Sequence, residues 1–151
     1  MSTTNFDSHL YVKLLHPEAK VPCKAHSGDS GFDIHYCGDK SITVYPGSRA
    51  AIPTKLAMTT DPGYFIKLES RSGSAFKNGV TLLCGVGDIG YREEYMVSVF
   101  NSDDEMPFVI NPGERFAQIT IQKRPEVAVM VVDELPNSGC ERNGGLGSSG
   151  K

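Results

Sequence analysis

Asp88 and Tyr91 are the side chains of this 151-residue sequence best placed to act on a bound small molecule. They stand in the run VTLLCGVGDIGYREEYMVSVFN, residues 80–101, between two apolar segments, 80–84 and 95–100, that are rich in β-branched and aromatic residues. Gly85, Gly87 and Gly90 occupy the stretch between those segments. The pattern predicts a β-hairpin with a wide, glycine-built mouth. Glycine lets a backbone approach a ligand closely, so main-chain N–H and C=O groups would meet whatever lies in the mouth. A carboxylate and a phenol would then be the chemically capable side chains at its tip.

The same letters spell Gly85-x-Gly87-x-x-Gly90, formally a dinucleotide-binding fingerprint, with Asp103, Asp104 and Glu105 roughly where its ribose-binding acid is sought. That reading needs a helix opening at the third glycine. Residues 95–100 are strand-like in composition and too short for a crossover helix, so it is set aside.

Four further groups carry polar chemistry. Arg71-Ser72-Gly73-Ser74 opens a short predicted helix, residues 74–77, which Ser72 would cap and Asn78-Gly79 would end. Helix-start N–H groups beside a guanidinium and hydroxyls suit an anion with several oxygens, although an ordinary Ser-Gly turn fits the same letters. Asp29-Ser-Gly31-Phe-Asp33 is a glycine turn with two carboxylates, and Gly113-Glu-Arg115-Phe-Ala-Gln118 opens a strand after an Asn-Pro-Gly turn. Residues 138–151 hold five glycines and one arginine, Arg142, and present no apolar face. By composition they form a disordered end; functionally, such a tail could order over a polyanion.

Around these groups the chain repeats one theme. Short apolar or alternating runs at 11–15, 41–44, 49–52, 55–59, 64–68, 80–84, 95–100, 108–110, 116–122 and 127–132 are separated by turn signals such as Pro46-Gly47, Pro62-Gly63 and Asn78-Gly79. No sustained helical periodicity appears. An all-β sandwich or barrel of one domain follows. Fifteen Lys+Arg against eighteen Asp+Glu, a formal charge of −3, give no basic footprint for duplex nucleic acid or an anionic membrane. Cys23, Cys37, Cys84 and Cys140 lack paired spacing, and no apolar run opens the chain, so an intracellular setting is expected. His16-Pro-Glu18 followed by Pro22-Cys23-x-x-His26 superficially resembles a deaminase zinc signature. Its halves lie too close together, among prolines, for the two helices such a site needs, and a polar loop is the better reading.

The order of the groups is more telling than any one of them. Gly31-Phe-Asp33, Arg71-Ser-Gly73, the glycine hairpin with Asp88-x-x-Tyr91-Arg, Gly113-x-Arg-x-Ala-Gln118 and Arg142-x-Gly-Gly-Leu-Gly-Ser-Ser-Gly150 resemble, in sequence, the five motifs of the homotrimeric deoxyuridine triphosphatases (dUTPases). The resemblance implies a jelly-roll-like β-barrel over residues 1–137 with one short helix, and a flexible glycine-rich arm, residues 138–151, closing over the site. It implies a homotrimer with sites between subunits, converting dUTP and water to dUMP and pyrophosphate with Mg²⁺.

By that resemblance Asp88 is the general base for water attacking the α-phosphorus, and Tyr91 packs under the deoxyribose. The hairpin backbone, with Val80, Cys84, Gly85 and Val86, reads uracil. Arg71, Ser72, Gly73 and Gln118 contact the triphosphate, and Asp33 meets Mg²⁺ through water only. Arg142, Gly144, Gly145, Leu146, Ser148 and Ser149 belong to the closing arm. The chain departs from the family pattern at Glu69-Ser70, where Ala-Pro is usual, and at Gly90, where a second acid is usual. It departs again at Glu93, usually glycine, and at Leu146, where a phenylalanine stacks on uracil. Two alternatives share the fold: a deoxycytidine triphosphate deaminase, which attacks the base, and a nucleotide-controlled regulatory binding protein. Asp88-x-x-Tyr91 favours phosphate cleavage.

Overall fold

The computed structural model describes residues 6–139. Its elements in chain order are β1 (Leu10–Leu14), β2 (Phe32–His35), β3 (Ile42–Val44), β4 (Arg49–Pro53), β5 (Leu56–Thr60) and β6 (Tyr64–Ser70), then the helix α1 (Ser72–Asn78), then β7 (Val80–Leu82), β8 (Val86–Gly87), β9 (Met96–Asn101), β10 (Phe108–Ile110) and β11 (Arg115–Lys123). The fold is all-β with one short helix, as the sequence predicts. Every strand pairing is antiparallel: β2-β11-β6-β8, β4-β9-β7, β1-β5 and β10-β3. Among the described residues no helix is long and apolar enough to cross a membrane.

One core holds the sheets together. Ile34, Ile52, Leu56, Ile66, Val97, Val99, Phe116 and Ile119 lie fully inside it, each contributing about 2 kcal/mol through burial. Strand β9 shows how the sequence arranges this, since Val97, Val99 and Asn101 alternate inward while Met96, Ser98 and Phe100 do not. The polar Asn101 is tolerated there because its amide is used. Its Nδ2 donates to the carbonyls of Val44 and Met106, at 2.9 and 2.8 Å, and its Oδ1 accepts from the Asp103 N–H at 3.0 Å.

Four local expectations change. Phe32–His35 is a strand although its residues read as part of a loop, because β11 supplies a partner. Val86–Gly87 inside the glycine mouth also forms a short strand, paired with Ile66 and Lys67 of β6. Residues 127–132 contain valines at alternate positions, yet none of the strands covers them and Val129 and Val131 are 93% and 99% exposed. β-Branched composition does not make a strand without a partner. The helix begins at Ser72, not residue 74; Arg71 is its N-cap residue, and no side chain caps it, whereas Gly79 ends it in the left-handed conformation at φ 61° as expected.

Candidate active site

Two cavities collect the sequence-predicted residues. The first is built by three strands that place Asp33, Gln118 and Glu69 in a row, Asp33 opposite Gln118 and Gln118 opposite Glu69. A β-bulge makes the row possible. Between Arg115 and Ala117 the pairing of β11 with β2 slips by one residue, so Phe116 and Ala117 both turn into the core. Arg115 and Gln118, three apart, therefore sit opposite His35 and Asp33, which share one face of β2.

Asp33 is 8% exposed and lies between two guanidinium groups. Arg71 Nε donates to its Oδ1 at 3.0 Å and Arg115 Nη1 to its Oδ2 at 3.1 Å, while Arg71 Nη1 donates to the Arg115 carbonyl at 3.1 Å. The pairing fixes Arg71 at the rim, with its Nη2 given no partner among the described residues. Gln118 Nε2 donates to the Ser70 carbonyl at 2.9 Å. Its Oε1 faces Gly31, where a Cβ would stand only 2.3 Å away, so a side chain there would displace the Gln118 amide. Gly31, Asp33, Arg71 and Gln118, with Ser72, Gly73 and Thr120, line an open cavity of about 380 Å³. Glu69, the unexpected acid, is engaged: its Oε1 lies 2.7 Å from Lys67 Nζ, and its Oε2 accepts from Thr120 Oγ1 at 3.4 Å. Beyond the arginines, burial lowers the pKa of His35, with the nearby Lys20 charge adding to the effect.

The hairpin mouth forms the second cavity, about 180 Å³, lined by Leu68, Cys84, Val86, Asp88, Tyr91 and Tyr95 among others. Strands β7 and β9 pair as predicted, from Val80 opposite Asn101 to Leu82 opposite Val99. The mouth is stitched to β6 by the Leu68 N–H donating to the Gly85 carbonyl at 2.8 Å. At its tip the Tyr91 N–H donates to the Asp88 carbonyl at 3.0 Å. Arg92 Nη1 donates to the carbonyls of Ile89 and Tyr91, and Thr59 Oγ1 to the Ile89 carbonyl. The Tyr91 hydroxyl donates to the Glu94 carbonyl at 3.0 Å.

Glu94 in turn grips Lys55 with both carboxylate oxygens, accepting from its N–H and its Nζ at 3.0 Å each. Lys55 holds φ 55°, the left-handed region, which this grip helps to maintain. Asp88 stands exposed at the tip.

The two cavities share no lining residue. Leu68 lines the hairpin cavity and its neighbour Glu69 the other, and successive residues of a strand face opposite ways. One chain thus brings Asp33, Arg71, Ser72, Gly73 and Gln118 together, and Cys84, Val86, Asp88 and Tyr91 together, in two separate cavities. Val80 is in the core, and Gly85 lies between the mouth and β6. Arg142, Gly144, Gly145, Leu146, Ser148 and Ser149 lie outside the described residues. Arg115, Glu94 and Tyr95 are parts of these sites that sequence reasoning missed; for Arg115 the available signal was its place in the motif with Gln118.

The dUTPase family model matches residues 17–150. The chain belongs to the dUTPase family. It is 40% identical over 146 residues to the deoxyuridine 5′-triphosphate nucleotidohydrolase of Janthinobacterium sp. (strain Marseille), covering 93% of this chain and 96% of that protein. It is 38% identical over 133 residues to the enzyme of the same name from Leifsonia xyli subsp. xyli, covering 87% and 86%. Among solved dUTPases, that of Staphylococcus bacteriophage 80alpha with dUpNHpp superposes with a TM-score of 0.80 at 26% identity, over 95% of this chain and 99% of that one. The dUTPase of phage phi11 of S. aureus, in which a structural Mg(II) ion is coordinated, shares the fold with a TM-score of 0.76 at 24% identity, over 85% and 99%. In dUTPase terms, the Asp33 cavity carries the first, second and fourth motifs and the hairpin cavity the third.

Proposed function

We propose that the protein is a dUTP diphosphatase, hydrolysing dUTP to dUMP and pyrophosphate. The observation that carries this reading is the pairing, in a dUTPase-family chain, of an arginine-lined anion cavity with a glycine hairpin that presents Asp88 beside Tyr91. Asp88 takes a proton from water as the water oxygen bonds to the α-phosphorus, and the bond from that phosphorus to the bridging oxygen breaks, releasing pyrophosphate. Exposure at the tip suits this role, since Asp88 must reach solvent to recruit the water. Tyr91 lies under the deoxyribose, and the backbone from Val80 to Val86, with Cys84 and Gly85, reads uracil. Arg71, Ser72, Gly73 and Gln118 hold the triphosphate, and Arg142, Gly144, Gly145, Leu146, Ser148 and Ser149 close over it.

The residues fit Mg²⁺ held mainly by substrate phosphates and water. Each oxygen of Asp33 already accepts from a guanidinium, which suits it to a hydrated cation's water shell better than to direct coordination. When bound, the ion neutralises phosphate charge.

The active form on this reading is a homotrimer with sites between subunits. Half-sites in two cavities that share no lining residue support it, as do the exposed apolar side chains of Val127, Val129, Val131 and Leu135. An intracellular setting agrees with the free thiols of Cys23, Cys37 and Cys84. Pyrophosphate release measured from dUTP, dTTP, dCTP and UTP, with and without Mg²⁺, tests the function. Metal-dependent release confined to dUTP is expected; ammonia from dCTP would replace this reading with a deaminase.

A further inference from the structure

Tyr95, just before β9, is 4% exposed and fixed through its backbone. Its N–H donates to the Leu56 carbonyl at 2.8 Å, and its own carbonyl accepts from Thr54 Oγ1 at 2.8 Å. From this anchorage in the core the ring meets Tyr91 edge-on, with centroids 5.2 Å apart and planes at 85°. Its hydroxyl fills the space beside Gly87, where a Cβ would lie 2.6 Å from the phenol oxygen. That hydroxyl is buried and meets no hydrogen-bonding partner among the described residues. Buried phenols ordinarily find one. Phenylalanine would pack the ring without leaving a polar atom unsatisfied, so core packing alone does not account for a tyrosine here.

Tyr91 has three other tethers, its hydroxyl on the Glu94 carbonyl, its N–H on the Asp88 carbonyl and its own carbonyl accepting from Arg92 Nη1, and all three partners belong to the same loop. The edge of Tyr95, by contrast, ties the Tyr91 ring to the core. We propose that Tyr95 is a specificity-determining positioning residue: it backs the Tyr91 ring and, with its hydroxyl lodged against Gly87, holds that ring where it closes the hairpin cavity to a ribose 2′-hydroxyl. This rests on the reading of Tyr91 as the sugar platform. A platform free to tilt would admit the extra oxygen, because a cavity wall rejects a hydroxyl only as well as it is held.

The test is steady-state kcat and KM for dUTP and UTP on the full-length assembled protein and its variants. Tyr95→Leu removes both ring edge and hydroxyl, and the preference in kcat/KM for dUTP over UTP should fall about tenfold, chiefly through gain on UTP. Tyr95→Phe keeps the edge and should retain most of the preference. Gly87→Ala drives a methyl into the phenol from the other side and should also lower the preference, which keeps the idea testable should Tyr95→Leu fail to fold. An unchanged preference in folded Tyr95→Leu or Gly87→Ala protein, or equal losses on both substrates, overturns the proposal and leaves Tyr95 a structural residue. A parent protein inactive on dUTP overturns the functional reading itself, and this inference with it.

Discussion

On the Asp33 side, charged side chains from two strands and the helix N-cap hold one another: Arg71 and Arg115 share one carboxylate, and Gln118 is seated by the Ser70 carbonyl and by a missing side chain at Gly31. At the hairpin the backbone does the holding, through carbonyls of Asp88, Ile89 and Glu94, and the Asp88 carboxylate stands exposed. On the proposed function the difference follows from the tasks. A triphosphate's charge is present before and after reaction and suits donors fixed in advance, whereas a base must exchange its proton with solvent.

The largest expected effect separates these tasks directly. Asp88→Asn should lower kcat about 10³-fold while leaving the affinity for a non-hydrolysable dUTP analogue within about threefold, since an amide fits the space but accepts no proton. Calorimetric titration beside a pyrophosphate assay checks both halves; turnover near the parent rate would remove Asp88 from the mechanism. Arg71→Ala should act the other way, lowering kcat/KM about 10²-fold mainly through KM, because it removes a charge-assisted phosphate contact. Mixing those two impaired variants by subunit exchange, assayed at dUTP well below KM, sharpens the contrast. With each site drawing its halves from different subunits, random assembly should restore about a quarter of parent activity, and no recovery would place both halves in one chain.

How readable each side is in the sequence follows from the same contrast. The hairpin announces itself, because glycine spacing and flanking alternation are local signals, and β7 and β9 pair as those letters predict. The Asp33 side depends on pairings between strands far apart in the chain. Phe32–His35 looks like loop until β11 lies beside it, and Arg115 and Gln118, at an odd spacing, read as facing opposite ways until the bulge at Phe116 is seen. Valines at 127–132 mislead for the complementary reason: strong propensity, no partner among the described strands.

Two smaller perturbations probe the supports on each side. Gly31→Ala must displace the Gln118 amide from 2.3 Å, and kcat/KM should fall about tenfold with little change in the melting temperature. Normal kinetics would show that Gln118 can move without loss. Glu94→Gln weakens the grip on Lys55 at the hairpin's far end, where the side chains are 21% and 38% exposed, so solvent screening limits the cost to about 0.5 kcal/mol. A rise in KM for dUTP of about threefold is expected, read against an unaltered response to Mg²⁺.

The bulge in β11 has a consequence for how this family can vary. Phe116 is the extra residue of the bulge. Another apolar residue there keeps Arg115 and Gln118 on the Asp33 face, and deleting it would leave the two residues two apart in a regular strand, still on one face. What deletion removes is the buried Phe116 side chain, so its cost falls on the core and not on the direction of Arg115. Filling, more than length, is what this stretch must preserve.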